Sequence, residues 1–205
     1  MTTNGSGRLW VTLIILVITA ALLSGCGGGS SSSDVSPGDK PDDTSSISGI
    51  VTDPPISGAA VVLRSADGDA LSTVERTDED GAFTLSFKQS VDVKGATVKA
   101  RGGKDTQTGM DFTGVTLSAP VEDGRASIVS PLTTLVVAEA DATGQGIAAA
   151  RAAVADRLGL PEEQLGADPA DAPDVQRASL LVSRSALAIG VENGDIARFA
   201  RALRD

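Results

Sequence analysis

Residues 48–87 read SGIVTDPPISGAAVVLRSADGDALSTVERTDEDGAFTLSF, and this stretch decides the fold. Short apolar runs alternate with clusters of Asp, Gly, Pro and Ser, the pattern of strands separated by tight turns. A first strand is predicted at 47–51 and a second, more apolar one at 59–63, with the turn cluster Asp53-Pro54-Pro55-Ile56-Ser57-Gly58 between them. Asp67-Gly68 marks the next turn, followed by a predicted strand over 70–76 with Leu71, Thr73 and Glu75 opposite Ser72 and Val74. Asp78-Glu79-Asp80-Gly81 is a further turn. The run Ala82-Phe83-Thr84-Leu85-Ser86-Phe87 then places Phe83, Leu85 and Phe87 on one face of a strand.

Downstream, 91–93 and 96–100 suggest further strands. Phe112, Val115 and Leu117 suggest a strand pair with 126–129. Short strands at regular spacing argue for an antiparallel β-sandwich over 47–129. The last third is helical. Ser130 can cap a helix with Pro131 at its first position, running to about 140. A second helix is predicted over about 146–158, with Ile147, Ala150, Val154 and Leu158 on one face and Gly159 as its C-cap. A third runs over about 173–189 with Val175, Ala178, Val182 and Ile189 inward. Asn193 can cap a fourth, in which Ile196, Phe199, Ala200 and Leu203 line up. The predicted class is therefore α+β, a small antiparallel β-sandwich followed by an Ala-rich helical region over 130–205.

Three pieces carry a resemblance: Ser48-Gly49-Ile50-Val51, Ile56-Ser57-Gly58-Ala59-Ala60-Val61, and Thr77-Asp78-Glu79-Asp80-Gly81-Ala82-Phe83. Together they resemble the carboxypeptidase-regulatory-like, transthyretin-like β-sandwich, whose pattern is S-G-x-V, P-x-x-G-A-x-V and T-D-x-D-G-x-F. The resemblance implies a fold and no activity, because that domain accompanies the enzyme and carries no zinc site. Farther on, Gly102-Gly103-Lys104-Asp105-Thr106-Gln107-Thr108-Gly109 and Ser130-Pro131-Leu132-Thr133-Thr134-Leu135 resemble G-G-x-D-x-x-T-G and T-P-L-T-T-L, which follow such sandwiches in bacterial surface proteins. Ser130 stands where that pattern has its first Thr. The resemblance implies a place in the cell envelope.

The N-terminus agrees with that place. Arg8 and the amino terminus give a positive start, and 9–23 is an almost unbroken apolar run of 15 residues. A membrane-crossing helix needs about 20, so the run has the length of a secretory signal. It ends in Leu23-Ser24-Gly25-Cys26, which resembles the lipobox of bacterial lipoproteins. The resemblance implies removal of residues 1–25 as a signal peptide. It also implies diacylglycerol on the Cys26 sulfur, acylation (palmitate) of the new amino group, and membrane attachment through those chains. More than one chain is what lasting attachment requires. By analogy with Gram-negative sorting, Gly27 favours the outer membrane, since it is Asp after the lipidated Cys that retains a protein at the inner one. Residues 26–46, Gly/Ser-rich and then acidic, read as a disordered tether with a reach of roughly 25 Å.

Composition narrows the function. The formal net charge is −10, and loss of 1–25 removes Arg8 and no acid, leaving −11. Such a surface repels phosphate backbones and anionic headgroups, so nucleic acid is not an expected partner and the lipid must do the membrane work. There is no His and no Tyr, and Cys26 is the only cysteine. A Ser-His-Asp or Cys-His arrangement is impossible, and no zinc-binding set exists. What remains is Ser or Thr with Lys, or a carboxylate pair, and nothing in the sequence alone brings such groups together. No enzyme activity and no cofactor are expected.

Asp78 and Asp80, two carboxylates before Gly81, are the candidates for a metal ion, here Ca²⁺. The loop lacks the further oxygen ligands such an ion takes, and the alternative is a polar turn whose Asp side chains accept from local N–H groups. Arg198, Arg201 and Arg204 form a basic edge on the fourth predicted helix, either a partner contact or a solvated face. The expected function is a non-catalytic binding or structural module of an envelope lipoprotein, with an envelope protein or polysaccharide as partner. The alternatives are a carbohydrate-binding domain, which needs an exposed aromatic pair, and the N-terminal part of a larger surface protein.

Overall fold

The computed structural model describes residues 43–122, 127–188 and Ile196. The protein is α+β. Among these described residues nine strands come first, β1 Thr44–Val51, β2 Ile56–Ser57, β3 Ala60–Arg64, β4 Glu75–Arg76, β5 Ala82–Lys88, β6 Thr97–Arg101, β7 Lys104–Asp105, β8 Thr116–Pro120 and β9 Ser127–Val129. Among the described residues three α-helices follow, α1 Pro131–Thr143, α2 Ile147–Leu158 and α3 Pro173–Ala188, with a 3₁₀ turn at Glu162–Gly166 before α3. The strands form one sheet in the order β5-β1-β9, a second in the order β4-β3-β6-β8, and the small pair β2-β7. All pairings are antiparallel except β1 with β9.

The alternation read from the sequence sets the inner faces. Ile47 and Val51 of β1, Phe83 and Leu85 of β5, Val61 and Leu63 of β3, Val98 and Ala100 of β6, and Leu117 and Ala119 of β8 all belong to one apolar cluster. The cluster continues without a break into Leu132, Leu135 and Val136 of α1, Ala150 and Val154 of α2, and Val175 and Val182 of α3. The boundary expected at 129/130 therefore separates element types, not cores.

Helix α1 is buried along ten consecutive residues, Pro131 to Ala140. A helix covered all round is a core helix, and this one carries an acid, Glu139. Arg157 of α2 meets it with two hydrogen bonds of 2.9 Å, one to each carboxylate oxygen. Ser130 caps α1 as expected and Gly144, at φ +68°, closes it three residues beyond the predicted end.

The Thr133-Thr134 pair explains why this helix starts where it does. The outward N–H of Ser118, on the edge strand β8, donates to Thr134 Oγ1 at 2.8 Å, and Thr133 Oγ1 lies 2.9 Å from the Ser118 carbonyl oxygen. The first turn of α1 thereby occupies the hydrogen-bonding positions a further strand would take, and an open edge is covered. Thr134→Val keeps the shape and leaves the Ser118 N–H without its acceptor. The expected cost is about 2 kcal/mol, read from the urea midpoint, with faster exchange of the Ser118 amide. An unchanged Ser118 exchange rate would contradict the edge-covering role.

Four expectations differ from the structure. The strand predicted at 70–76 is mostly loop. Three residue steps of β3, from Val61 to Arg64, face five steps of the partner chain, from Ala70 to Glu75. The Ser72 hydroxyl takes the Leu63 N–H at 3.0 Å in place of a backbone carbonyl, so the chain bulges and Val74 stands in solvent. No strand forms at 91–93. Leu117 is in β8 but does not pair with 126–129: β9 crosses to the other sheet and runs parallel to β1, while Phe112 and Val115 form the turn before β8. Finally, the chain is extended from Thr44, inside the stretch read as tether, because Thr44, Ser45 and Ser46 pair with Lys88, Phe87 and Ser86. Backbone pairing, not burial, orders those polar residues.

Candidate functional site

The sharpest chemical feature lies where the β1–β2 turn meets α3. Asp53 follows β1 and is only 4% exposed. Ser179 and Ser183 stand one turn apart on α3, and both are buried. The Ser179 hydroxyl donates to Asp53 Oδ1 at 2.9 Å. The Ser183 hydroxyl has two acceptors in reach, Asp53 and the Leu180 carbonyl oxygen at 3.3 Å. Burial pushes the Asp53 carboxyl up from 3.8 to about 7, with nearby Asp105 adding to the rise and the two serines and Arg184 working against it.

Asp105 is buried as well, but its oxygens are taken up by its own turn. Its Oδ1 accepts from the N–H groups of Gln107 at 2.8 Å and Thr108 at 3.0 Å, and its Oδ2 accepts from the Thr108 hydroxyl. That geometry is the physical content of the D-x-x-T spacing: the acid closes the turn after β7 on itself. Among the described residues no backbone N–H is aimed at Asp53 in this way, so neutralisation by a proton is the cheaper answer.

A serine hydroxyl on a carboxyl is one half of a nucleophile-and-base arrangement. Here Ser179 is 1% exposed, and in this conformation no substrate atom reaches its Oγ. The buried arrangement raises the affinity of Asp53 for its proton and ties α3 to the β1–β2 turn. Sequence alone does not show it, because Asp53 belongs to a turn cluster and the inward face expected of the third helix is Val175, Ala178, Val182 and Ile189, the last outside the described residues. The observed inward line is Val175, Ser179, Val182 and Ala186, with Ala178 half-exposed. Serines on an apolar stripe were the available signal, since a buried hydroxyl needs a partner.

The residues singled out from sequence fall as follows. Asp78 is consumed by its own turn: Oδ1 accepts from the N–H groups of Asp80 at 3.0 Å and Ala82 at 2.8 Å. Asp80 is exposed beside it. Among the described residues, no group of three or more acids or cysteines is gathered as a metal ion needs. Phe83 and Phe112 are core residues, and Phe87 packs against the core from the end of β5. The described phenylalanines thus offer no exposed pair for stacking on sugars. Cys26, Phe199, Arg198, Arg201 and Arg204 lie outside the described residues, as does the fourth predicted helix apart from Ile196, which is helical and buried.

No family model, curated protein or solved structure matches the chain. No helix among the described residues is long and apolar enough to cross a membrane.

Proposed function

We propose that the chain is a cell-envelope lipoprotein, cut before Cys26 and held on its membrane by lipid on that sulfur. Its folded part is a transthyretin-like β-sandwich with a helical cap, serving as a non-catalytic binding or structural module. The observation that carries the reading is Leu23-Ser24-Gly25-Cys26 at the end of a 15-residue apolar run. The charge of −11 left after cleavage supports it, because such a surface cannot bind anionic headgroups by itself. The sandwich is supported by the shared apolar cluster of the two larger sheets, and the absence of any His favours binding over catalysis. The stretch from Cys26 to Thr44 separates anchor from fold, and Gly27 directs a Gram-negative host's protein to the outer membrane.

The test is labelling with a palmitate analogue in the native host, followed by fractionation and mass spectrometry. The wild-type protein takes up label, stays with membranes and begins at a modified Cys26. Cys26→Ala takes up none and keeps its first 25 residues unless another peptidase removes them. A native protein with a free thiol at position 26, or one that still begins at Met1, defeats the proposal.

A further inference from the structure

Among the described residues strand β5 is an open edge, and its hydrogen-bonding groups can be assigned one by one. Residues of β1 and β5 pair so that their numbers sum to a constant, as in Ile47 with Leu85. Two bonds on the same diagonal fix which members of the ladder bond inward: Val51 N–H to the Gly81 carbonyl at 2.8 Å and Gln89 N–H to the Asp43 carbonyl at 2.7 Å. In an antiparallel ladder bonded and non-bonded positions alternate. Phe83, Leu85 and Phe87 therefore direct their N–H and C=O groups to β1. Ala82, Thr84, Ser86 and Lys88 direct theirs away from it. At the start of this outer row, Ala82 is satisfied by Asp78 through both its N–H and its carbonyl. At the end, the Lys88 carbonyl accepts from Val91 N–H at 2.9 Å. Between them stand the N–H and C=O of Thr84, the N–H and C=O of Ser86, and the N–H of Lys88, with no strand beside them among the described residues.

The contrast with β8 is informative. That edge is covered by two threonines of α1, and β4, the other edge of the same sheet, is two residues long. β5 is seven residues long, without proline or bulge in its pairing with β1, and its outward side chains are small and polar up to Lys88. Long open edges are association sites unless blocked.

The geometry points to β5 as the seat of a homodimer, in which the edge strands of two copies pair antiparallel about a two-fold axis at Ser86. In that register the Ser86 N–H of each copy meets the Ser86 carbonyl of the other, and each Lys88 N–H meets the partner's Thr84 carbonyl. No hydrogen bond among the described residues is displaced. Charge selects the same arrangement. Antiparallel pairing carries Lys88 of each copy toward the beginning of the other β5, where Asp78, Glu79 and Asp80 lie, whereas parallel pairing would set Lys88 against Lys88. The interface is isologous and closed, so it stops at two. This inference does not depend on the lipid anchor.

The test uses the full chain in density-matched detergent. Sedimentation equilibrium is expected to give a monomer–dimer equilibrium. Amide exchange at Ser86 and Lys88 should slow at least about tenfold with rising protein concentration, while Leu85 and Phe87, paired with β1, are unaffected. Ser86→Pro removes an outward N–H that β1 does not use and should leave a monomer. Lys88→Glu should weaken the dimer at low salt and converge on wild type at high salt. A chain that stays monomeric at every concentration overturns the inference. So does a dimer whose Ser86 amide exchanges at the monomer rate, or one that Lys88→Glu leaves untouched at low salt.

Discussion

Asp53→Asn is expected to make the protein more stable above neutral pH, by roughly 4 kcal/mol. Folding raises the carboxyl from 3.8 to about 7, so the folded state holds this proton more tightly than the unfolded chain does. A group shifted in that direction contributes stability that is complete below its unfolded pKa and is lost as pH rises through its folded one. The window is therefore about pH 4 to 7, and above it the wild type must either ionise a buried acid or unfold. Asn copies the protonated side chain, keeps an oxygen for the Ser179 hydroxyl, and has no proton to lose. The two proteins should be nearly equally stable near pH 4, diverge as pH rises to about 7, and keep a constant difference above it. Denaturant midpoints across that range check it, and parallel pH profiles would show that Asp53 is not the group responsible. Because the wild-type-minus-variant difference is used, the opposing contributions of exposed acids cancel.

Gly81→Ala is expected to cost at least about 3 kcal/mol. Gly81 sits at φ +76°, and a Cβ there would lie 2.4 Å from the Val51 carbonyl oxygen and 3.1 Å from the Ile56 nitrogen. Both are backbone atoms flanking the Asp53 turn, so neither can rotate aside. Gly81 also accepts the Val51 N–H, which means that relieving the clash strips a bond from the end of β1. Gly68→Ala is the control. Its φ is +90° with nothing within 4 Å of the new methyl, and it should cost only the left-handed penalty of about 1 kcal/mol. Equal urea midpoints for the two variants would show that the close approach at Gly81 relaxes freely.

The legible parts of this chain are those whose cause is local. The alternation of Phe83, Leu85 and Phe87 marks β5 because period two is written in neighbouring residues. Ser130-Pro131 and Gly159 mark helix ends because caps act within one turn. The 70–76 stretch has strand composition and is nevertheless loop, because the Ser72 hydroxyl substitutes for a backbone acceptor of β3, and a substitution of that kind leaves no periodic trace. The parallel pairing of β9 with β1 joins residues nearly eighty positions apart, beyond the range of any pattern in a window. The candidate site was hidden for the same reason, since Asp53 and Ser179 are 126 positions apart.

By itself the sequence determined the α+β class, most turns, the three helices, and the exclusion of histidine chemistry. It also carries the whole case for lipid on Cys26. Only the tertiary structure decided that helices and sheets share one core, that two threonines close the edge of β8 while β5 is open among the described residues, and that one aspartate of a turn becomes a buried contact with α3 whose proton is held more tightly than in the unfolded chain. The physical reason is that turns, caps and periodicity are settled by neighbours in the chain, whereas desolvation and edge coverage depend on which distant surface arrives.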